Sequence, residues 1–230
     1  KIRPGKICKE AGKASIAWVR EATKLCLEKR AAAVVTAPLC KESVEKTVPG
    51  FQGHTEFIGE MCGDSRPVLC LVHKDWVVAH VSTHVSLREA CDRAKKERIL
   101  KTATLLSDFL IRYKKVKTPC LGIAGLNPHA GEGGLFGTEE IEEIIPAIRE
   151  LKKKKIKADG PFPGDVIFPK LRSGAFDGVV AMYHDQGHIV TKTLLFQLGQ
   201  VKKTGGVNTT LGLPVIRTSV DHGTGFDIAW

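Results

Sequence analysis

The chain alternates between short, almost purely apolar runs and longer stretches in which apolar residues recur every three or four positions. Residues 31–35, 76–81, 120–124, 178–182 and 214–216 are of the first kind. Unbroken apolar runs of that length suit strands buried on both faces of a sheet; half-exposed strands would alternate with polar residues. The second kind covers about 13–29, with Ile16, Ala17, Val19, Leu25 and Leu27, and 98–111, with Leu100, Ala103, Leu106, Phe109 and Leu110. The clearest helix is 138–151, where Ile141, Ile144, Ile145, Ile148 and Leu151 share one face. Thr138 stands where it can cap that helix, Glu139 and Glu140 suit its positive end, and the Lys152–Lys155 run suits its negative end. Alternating strands and helices predict an α/β fold.

Each apolar run leads directly into chemically capable residues. Thr36-Ala37-Pro38 comes after the first, Ser82-Thr83-His84 after the second, and Gly125-Leu126-Asn127-Pro128-His129 after the third. Tyr183-His184-Asp185-Gln186 comes after the fourth, and Arg217 and Asp221-His222-Gly223 after the fifth. In open α/β sheets the carboxyl ends of the strands form the ligand-binding edge. The pattern therefore points to an active site there.

Composition narrows the class without naming it. Among 230 residues there are 35 basic and 25 acidic ones, a net charge of +10. An excess of that size attracts anions, but no nucleic-acid motif or aromatic interleaving accompanies it, and anionic small substrates fit better than nucleic acid. No apolar run reaches the ~18 residues of a membrane span, and the opening Lys1-Ile2-Arg3-Pro4-Gly5 has no secretory h-region. The seven cysteines form no C-x-x-C pair. That usage suits free thiols in a reducing cytoplasm better than a zinc knuckle or a disulfide framework.

Three histidines, His84, His129 and His184, stand at strand ends. Three imidazoles with an open position would make a catalytic metal site; separate loop histidines used for hydrogen bonds are the alternative. His73 and His80 lie in or beside a strand and read as structural. Gly53-His54-Thr55-Glu56 either grips an anion or simply starts a helix. The glycine-rich loop 127–134 could cradle an anion, but Phe136 falls where G-x-G-x-x-G needs its last glycine. No P-loop, G-x-S-x-G elbow or H-E-x-x-H motif is present. Asp165, Asp185, Lys192, Asn208 and Arg217 add acids and cations fit for a phosphorylated acid.

These motifs resemble 4-hydroxythreonine-4-phosphate dehydrogenase. The resemblance rests on Val35-Thr36-Ala37-Pro38, Gly53-His54-Thr55-Glu56-Phe57, the stretches 125–132 and 181–187, Val207-Asn208-Thr209-Thr210-Leu211-Gly212-Leu213-Pro214, and 217–224. It runs essentially from end to end, with further stretches expected before residue 1 and after Trp230. It implies an α/β/α fold like that of isocitrate and isopropylmalate dehydrogenases, with two subdomains and a cleft between them. We place the first subdomain at 1–53 plus 190–230 and the second at 54–189. The resemblance also implies a cytoplasmic homodimer of pyridoxine biosynthesis, acting on a small phosphorylated hydroxy acid, with no nucleic acid or membrane as partner.

The same resemblance implies roles for the site residues. His84, His129 and His184 would hold a divalent cation (zinc, magnesium, manganese or cobalt), with ligands shared between subunits. His54, Thr55, Lys192, Asn208 and Arg217 would bind substrate. Asp165 and Asp185, with Lys192, would be the catalytic groups, and His222, Gly223, Thr224 and Asp227 would receive NAD or NADP. The reaction implied is metal-assisted oxidation to a β-keto acid, with hydride passing to the nicotinamide, followed by decarboxylation. The segments 80–88 and 187–189 are more similar to a paralogous branch that oxidises D-threonate or D-erythronate 4-phosphate. A truncated, non-catalytic binding module of the same fold is the competing class.

Overall fold

The structure, a computed structural model, describes residues 6–63, 66–197, 207–220 and 223–224, with the backbone alone at 194–197. The chain divides into two compact units, Lys1–Pro67 with Val207–Trp230, and Val68–Gly206.

The first unit contains α1 (Lys9–Leu27), β1 (Ala33–Thr36), α2 (Lys41–Glu45), α3 (His54–Met61), β7 (Val207–Leu211) and β8 (Ile216–Ser219). β8 pairs with β1 in parallel and with β7 antiparallel. The apolar face of α1 closes on the sheet: Ile16, Val19 and Cys26 pack with Val34 of β1, Val44 of α2, Phe57 and Ile58 of α3, and Val215. Because α3 buries its apolar residues in this cluster, it belongs here, and the boundary lies after it and not at residue 53 as the sequence suggested.

The second unit contains β2 (Val68–His73), β3 (Trp76–His80), α4 (Leu87–Arg93), α5 (Lys96–Arg112), β4 (Cys120–Ala124), α6 (Ile145–Lys153), β5 (Lys157–Phe162), α7 (Gly164–Arg172), β6 (Gly178–Ala181) and α8 (His184–Gln197). Its strands run β2-β3-β6-β4-β5, antiparallel between β2 and β3 and parallel thereafter. All four residues of β6 are buried, as an apolar run inside a two-sided sheet requires. Val179 and Ala181 face Ile167, Phe168 and Leu171 of α7. On the other face Leu106 and Leu110 of α5 press so closely on Gly178 that a Cβ there would lie 3.2–3.3 Å from them. α8 runs unbroken from residue 184 to 197, so the chain does not divide at 189.

The helix expected at 138–151 starts differently from its periodicity. Glu140–Ile144 forms a π-helical segment that passes into α6. Pro146 has no N–H to offer Glu142, which favours a widened register just before it. Thr138 contributes its backbone carbonyl, accepting from Glu142 N–H at 2.9 Å, and its side chain does not act as the cap.

Candidate active site

In the second unit β3, β6 and β4 are adjacent and parallel, so the segments leaving their carboxyl ends emerge at one edge. The β3–β6 ladder continues past the strands. Val81 N–H donates to the Ala181 carbonyl at 2.9 Å and Ser82 N–H to that of Met182 at 3.2 Å. The Ser82 hydroxyl donates to the same Met182 oxygen at 2.9 Å. The two chains are thereby carried side by side to His84 and His184, whose ring centres are 5.7 Å apart. Gln186 ties in the third strand: its Oε1 accepts from Met182 N–H at 2.7 Å and its Nε2 donates to the Gly125 carbonyl at 2.8 Å. An open pocket of about 400 Å³ lies over this edge, lined by Thr83, His84, Ser86, Tyr183, His184 and Asp185 among others.

His184 opens α8 and is tightly constrained. Its Nδ1 is 2.6 Å from Asp185 Oδ1, which makes Nε2 the nitrogen left for a ligand. One turn on, the His188 ring stacks on it at 3.7 Å and 10°, while His188 Nδ1 donates to the His184 carbonyl at 2.9 Å. Behind His188, at 4.8 Å between ring centres, lies His80. His80 is fully buried, with Nδ1 bonded to the Leu69 carbonyl at 3.3 Å. A Cβ at Gly187 would come within 2.2 Å of His80 Nε2, so only glycine lets α8 approach β3 this closely.

His129 stands apart from the His84–His184 pair. Its Nδ1 is 3.3 Å from Glu132 and its ring packs edge-on against Phe136. The glycine-rich loop is a left-handed turn: φ is 51° at His129, 53° at Ala130, 81° at Gly131, 43° at Glu132 and 67° at Gly133. Each non-glycine residue there costs roughly 1–2 kcal/mol. Glu140, 1% exposed, holds the turn. Its Oε1 accepts from the Leu126 and Asn127 N–H groups at 2.7 and 2.8 Å, and its Oε2 from Asn127 Nδ2 at 2.9 Å. Sequence reasoning gave Glu140 only a helix-dipole role. Among the described residues no three His, Cys, Asp or Glu side chains gather closely enough to hold a metal ion. The 5.7 Å between the His84 and His184 ring centres is a separation that two imidazoles each about 2 Å from a shared zinc can have.

The first unit holds a separate cluster. Arg217, 4% exposed, donates from Nη1 to the hydroxyls of Thr55 at 3.0 Å and Thr210 at 3.2 Å, and from Nη2 to that of Thr36 at 2.8 Å. Its Nε is buried without a hydrogen-bond partner among the described residues, as is Asn208 Oδ1. Burial lowers the Arg217 pKa to about 10, with Glu56 opposing, so it stays charged at neutral pH. Gly53 caps α3 and places His54 and Thr55 in its first turn. Burial, then Arg217 and Lys41, holds the His54 pKa down to about 4.

Both depressed imidazoles bear on stability. Burial, then His188, lowers His80 to about 3. The unfolded chain therefore binds protons below about pH 6.5 that the folded one refuses, and stability falls as pH drops through that window. The melting temperature should decline between pH 7.5 and 5, above most carboxylate titration. A flat profile would contradict neutral, buried His54 and His80.

The full chain, residues 1–230, matches the family model described as Pyridoxal phosphate biosynthetic protein PdxA. The chain belongs to the PdxA family. This PdxA-family chain is 40% identical to the D-threonate 4-phosphate dehydrogenase of Pectobacterium atrosepticum, over 100% of the chain and 68% of that relative. It is 42% identical to the enzyme of the same name from Salmonella typhimurium strain LT2, again over 100% of the chain and 68% of the relative. Its fold superimposes on the crystal structure of 4-hydroxythreonine-4-phosphate dehydrogenase from Klebsiella pneumoniae with a TM-score of 0.88, at 42% identity, covering 100% of this chain and 67% of that one. The α/β fold expected from the sequence is thus the PdxA fold, and the chain spans about two thirds of the length of the curated relatives it matches.

The remaining PdxA-type candidates are dispersed. Asp165 is exposed in the first turn of α7, near α8: a Cβ on Gly164 would be 3.3 Å from Gln186 Nε2. Lys192 shares the helical face of His184 and His188, about 12 Å further along α8. Gly223 and Thr224 are exposed and outside regular structure. His222 and Asp227 lie outside the described residues.

Proposed function

We propose that this chain is a metal-dependent, NAD-linked dehydrogenase that oxidises and decarboxylates a four-carbon phosphorylated hydroxy acid. The observation that carries this is the His84–His184 pair at the sheet edge, with Asp185 fixing the His184 tautomer, in a chain of the PdxA family throughout its length.

His184 and His84 supply two ligands, and exposed His129 the third, the set being shared between two copies of the chain in a homodimer. A divalent cation bound there would acidify a coordinated hydroxyl, and NAD would accept the hydride. Asp185 already engages His184 Nδ1 and orients it, in the manner of a carboxylate behind a metal-bound histidine. Asp165 is therefore the better proton acceptor. In the first unit, neutral His54 and the Thr55 hydroxyl offer hydrogen bonds to an anionic group. Arg217 adds positive charge, with Glu56 acting on it electrostatically, and it holds Thr55 in place. Asn208, whose Oδ1 has no hydrogen-bond partner among the described residues, adds an acceptor there, and Lys192 on α8 of the second unit offers a further cation. The cofactor's adenine end would fall to 222–227. Seven free thiols suit a reducing cytoplasm.

Substrate choice is open to direct test. The names of the curated relatives favour D-threonate 4-phosphate, and that of the Klebsiella structure favours 4-hydroxythreonine 4-phosphate, the substrate of pyridoxine biosynthesis. NADH or NADPH formation should be followed with both and with D-erythronate 4-phosphate, with NAD and NADP respectively, with added divalent metal and after chelation. Turnover of one of these that chelation abolishes supports the proposal. No turnover of any, by the full-length protein with metal, would leave a non-catalytic binding module.

A further inference from the structure

The His184–His188–His80 column goes beyond what a cation site needs from its ligands alone. Two neutral aromatic rings avoid a face-to-face sandwich, preferring offset or edge contacts at 4.5–7 Å. His184 and His188 are instead nearly parallel at 3.7 Å. Such an arrangement becomes favourable when one ring is electron-poor, because the other then presents its negative face to it, as in a cation–π contact. A cation on His184 Nε2 would make that ring the electron-poor one.

The His188 ring is itself held firmly. Its Nδ1 is bonded to the His184 carbonyl, it is 6% exposed, and buried His80 backs it. His80 is fixed in turn by the Leu69 carbonyl and by the close approach of Gly187. The spacing of four residues places both rings on one face of α8. Asp185 fixes the edge of the His184 ring and His188 its plane.

We propose that His188 is a positioning residue that holds the His184 imidazole in the orientation needed to ligate the cation. This rests on the reading of His184 as a ligand, and the test separates the two. Zinc affinity of the full-length protein is measured by calorimetry for the wild type and for His184→Ala, His188→Ala, His188→Phe and His188→Leu. The His184 tautomer is read by nitrogen-15 NMR of the imidazoles in the same proteins, without metal. His188→Ala and His188→Leu should weaken zinc binding roughly tenfold or more and, by letting the His184 ring turn out of plane and away from Asp185, mix the tautomers of His184. His188→Phe, which keeps a flat ring, should stay within about threefold of wild type on the same basis.

Equal affinities for the Phe and Leu variants, or wild-type affinity in the Leu variant, would overturn the proposal, since a flat ring would then add nothing to what an aliphatic side chain supplies. If His184→Ala binds zinc as well as wild type, the ligand reading itself fails, whatever the His188 variants do. The Phe–Leu comparison does not depend on whether the Ala variant folds.

Discussion

His184→Ala should eliminate metal-dependent turnover, lowering kcat by on the order of 10³ or more, because loss of a ligated Lewis acid forfeits several kcal/mol of transition-state stabilisation. His184 is half-buried at the first turn of α8, and its ring contributes to a pocket wall and is absent from the core clusters around α1 and α7. The melting temperature should therefore change little. Steady-state NADH formation at saturating substrate and metal, beside a thermal melt of the same protein, checks both halves. Comparable kcat with the fold intact would remove His184 from the mechanism.

Glu140→Ala should be the most destabilising change near the site. It strips three hydrogen-bond acceptor contacts from the half-buried 126–127 segment by removing a carboxylate that is itself buried. Hydrogen bonds to a buried charge are worth about 1.5–3 kcal/mol, and the orphaned donors carry their own desolvation cost. A loss of about 3 kcal/mol overall corresponds to a fall of roughly 6–12 °C in melting temperature for a domain of this size. Glu140→Gln, which keeps the shape but not the charge, should lose about half as much. Activity should fall further than stability explains, because the same carboxylate packs against Gly131 in the left-handed turn that carries His129. A melting temperature unchanged in Glu140→Ala would show that the turn holds itself.

The sheet edge was legible in the sequence because polar, chemically capable residues come directly after each buried strand. Residues 76–81, 120–124 and 178–182 correspond to β3, β4 and β6; the segments after β3 and β6 bring His84 and His184 side by side, whereas His129 stands apart from them. β2 was missed although Val68–Val72 is as apolar as the others. It ends at a tight turn into β3 and delivers no side chain to that edge. β5, with Gly160-Pro161 inside it, lacks the apolar continuity that marks the central strands.

The supporting residues were harder to see. Glu140 looks like an ordinary acidic residue at a helix start, and only tertiary structure reveals that its carboxylate turns back onto a loop 13 residues earlier. His80 reads as structural in the sequence and is buried in the fold, but its place behind His188 depends on helix-to-strand packing that Gly187 permits, and no local pattern announces it. Arg217 shows in the sequence as a cation suited to an anion. Its three threonine partners, drawn from positions 36, 55 and 210, come from segments far apart in the chain. Gln186 stands out in the sequence only as part of a motif, whereas its side chain joins two strands.

The central claim is that a divalent cation is held at His184. Anomalous diffraction at the zinc edge, from crystals of the full-length protein grown with zinc, tests it most directly. The account predicts a peak about 2 Å from His184 Nε2, on the side away from Asp185. A map with no peak there, or with zinc bound only at a site that does not include His184, would contradict it.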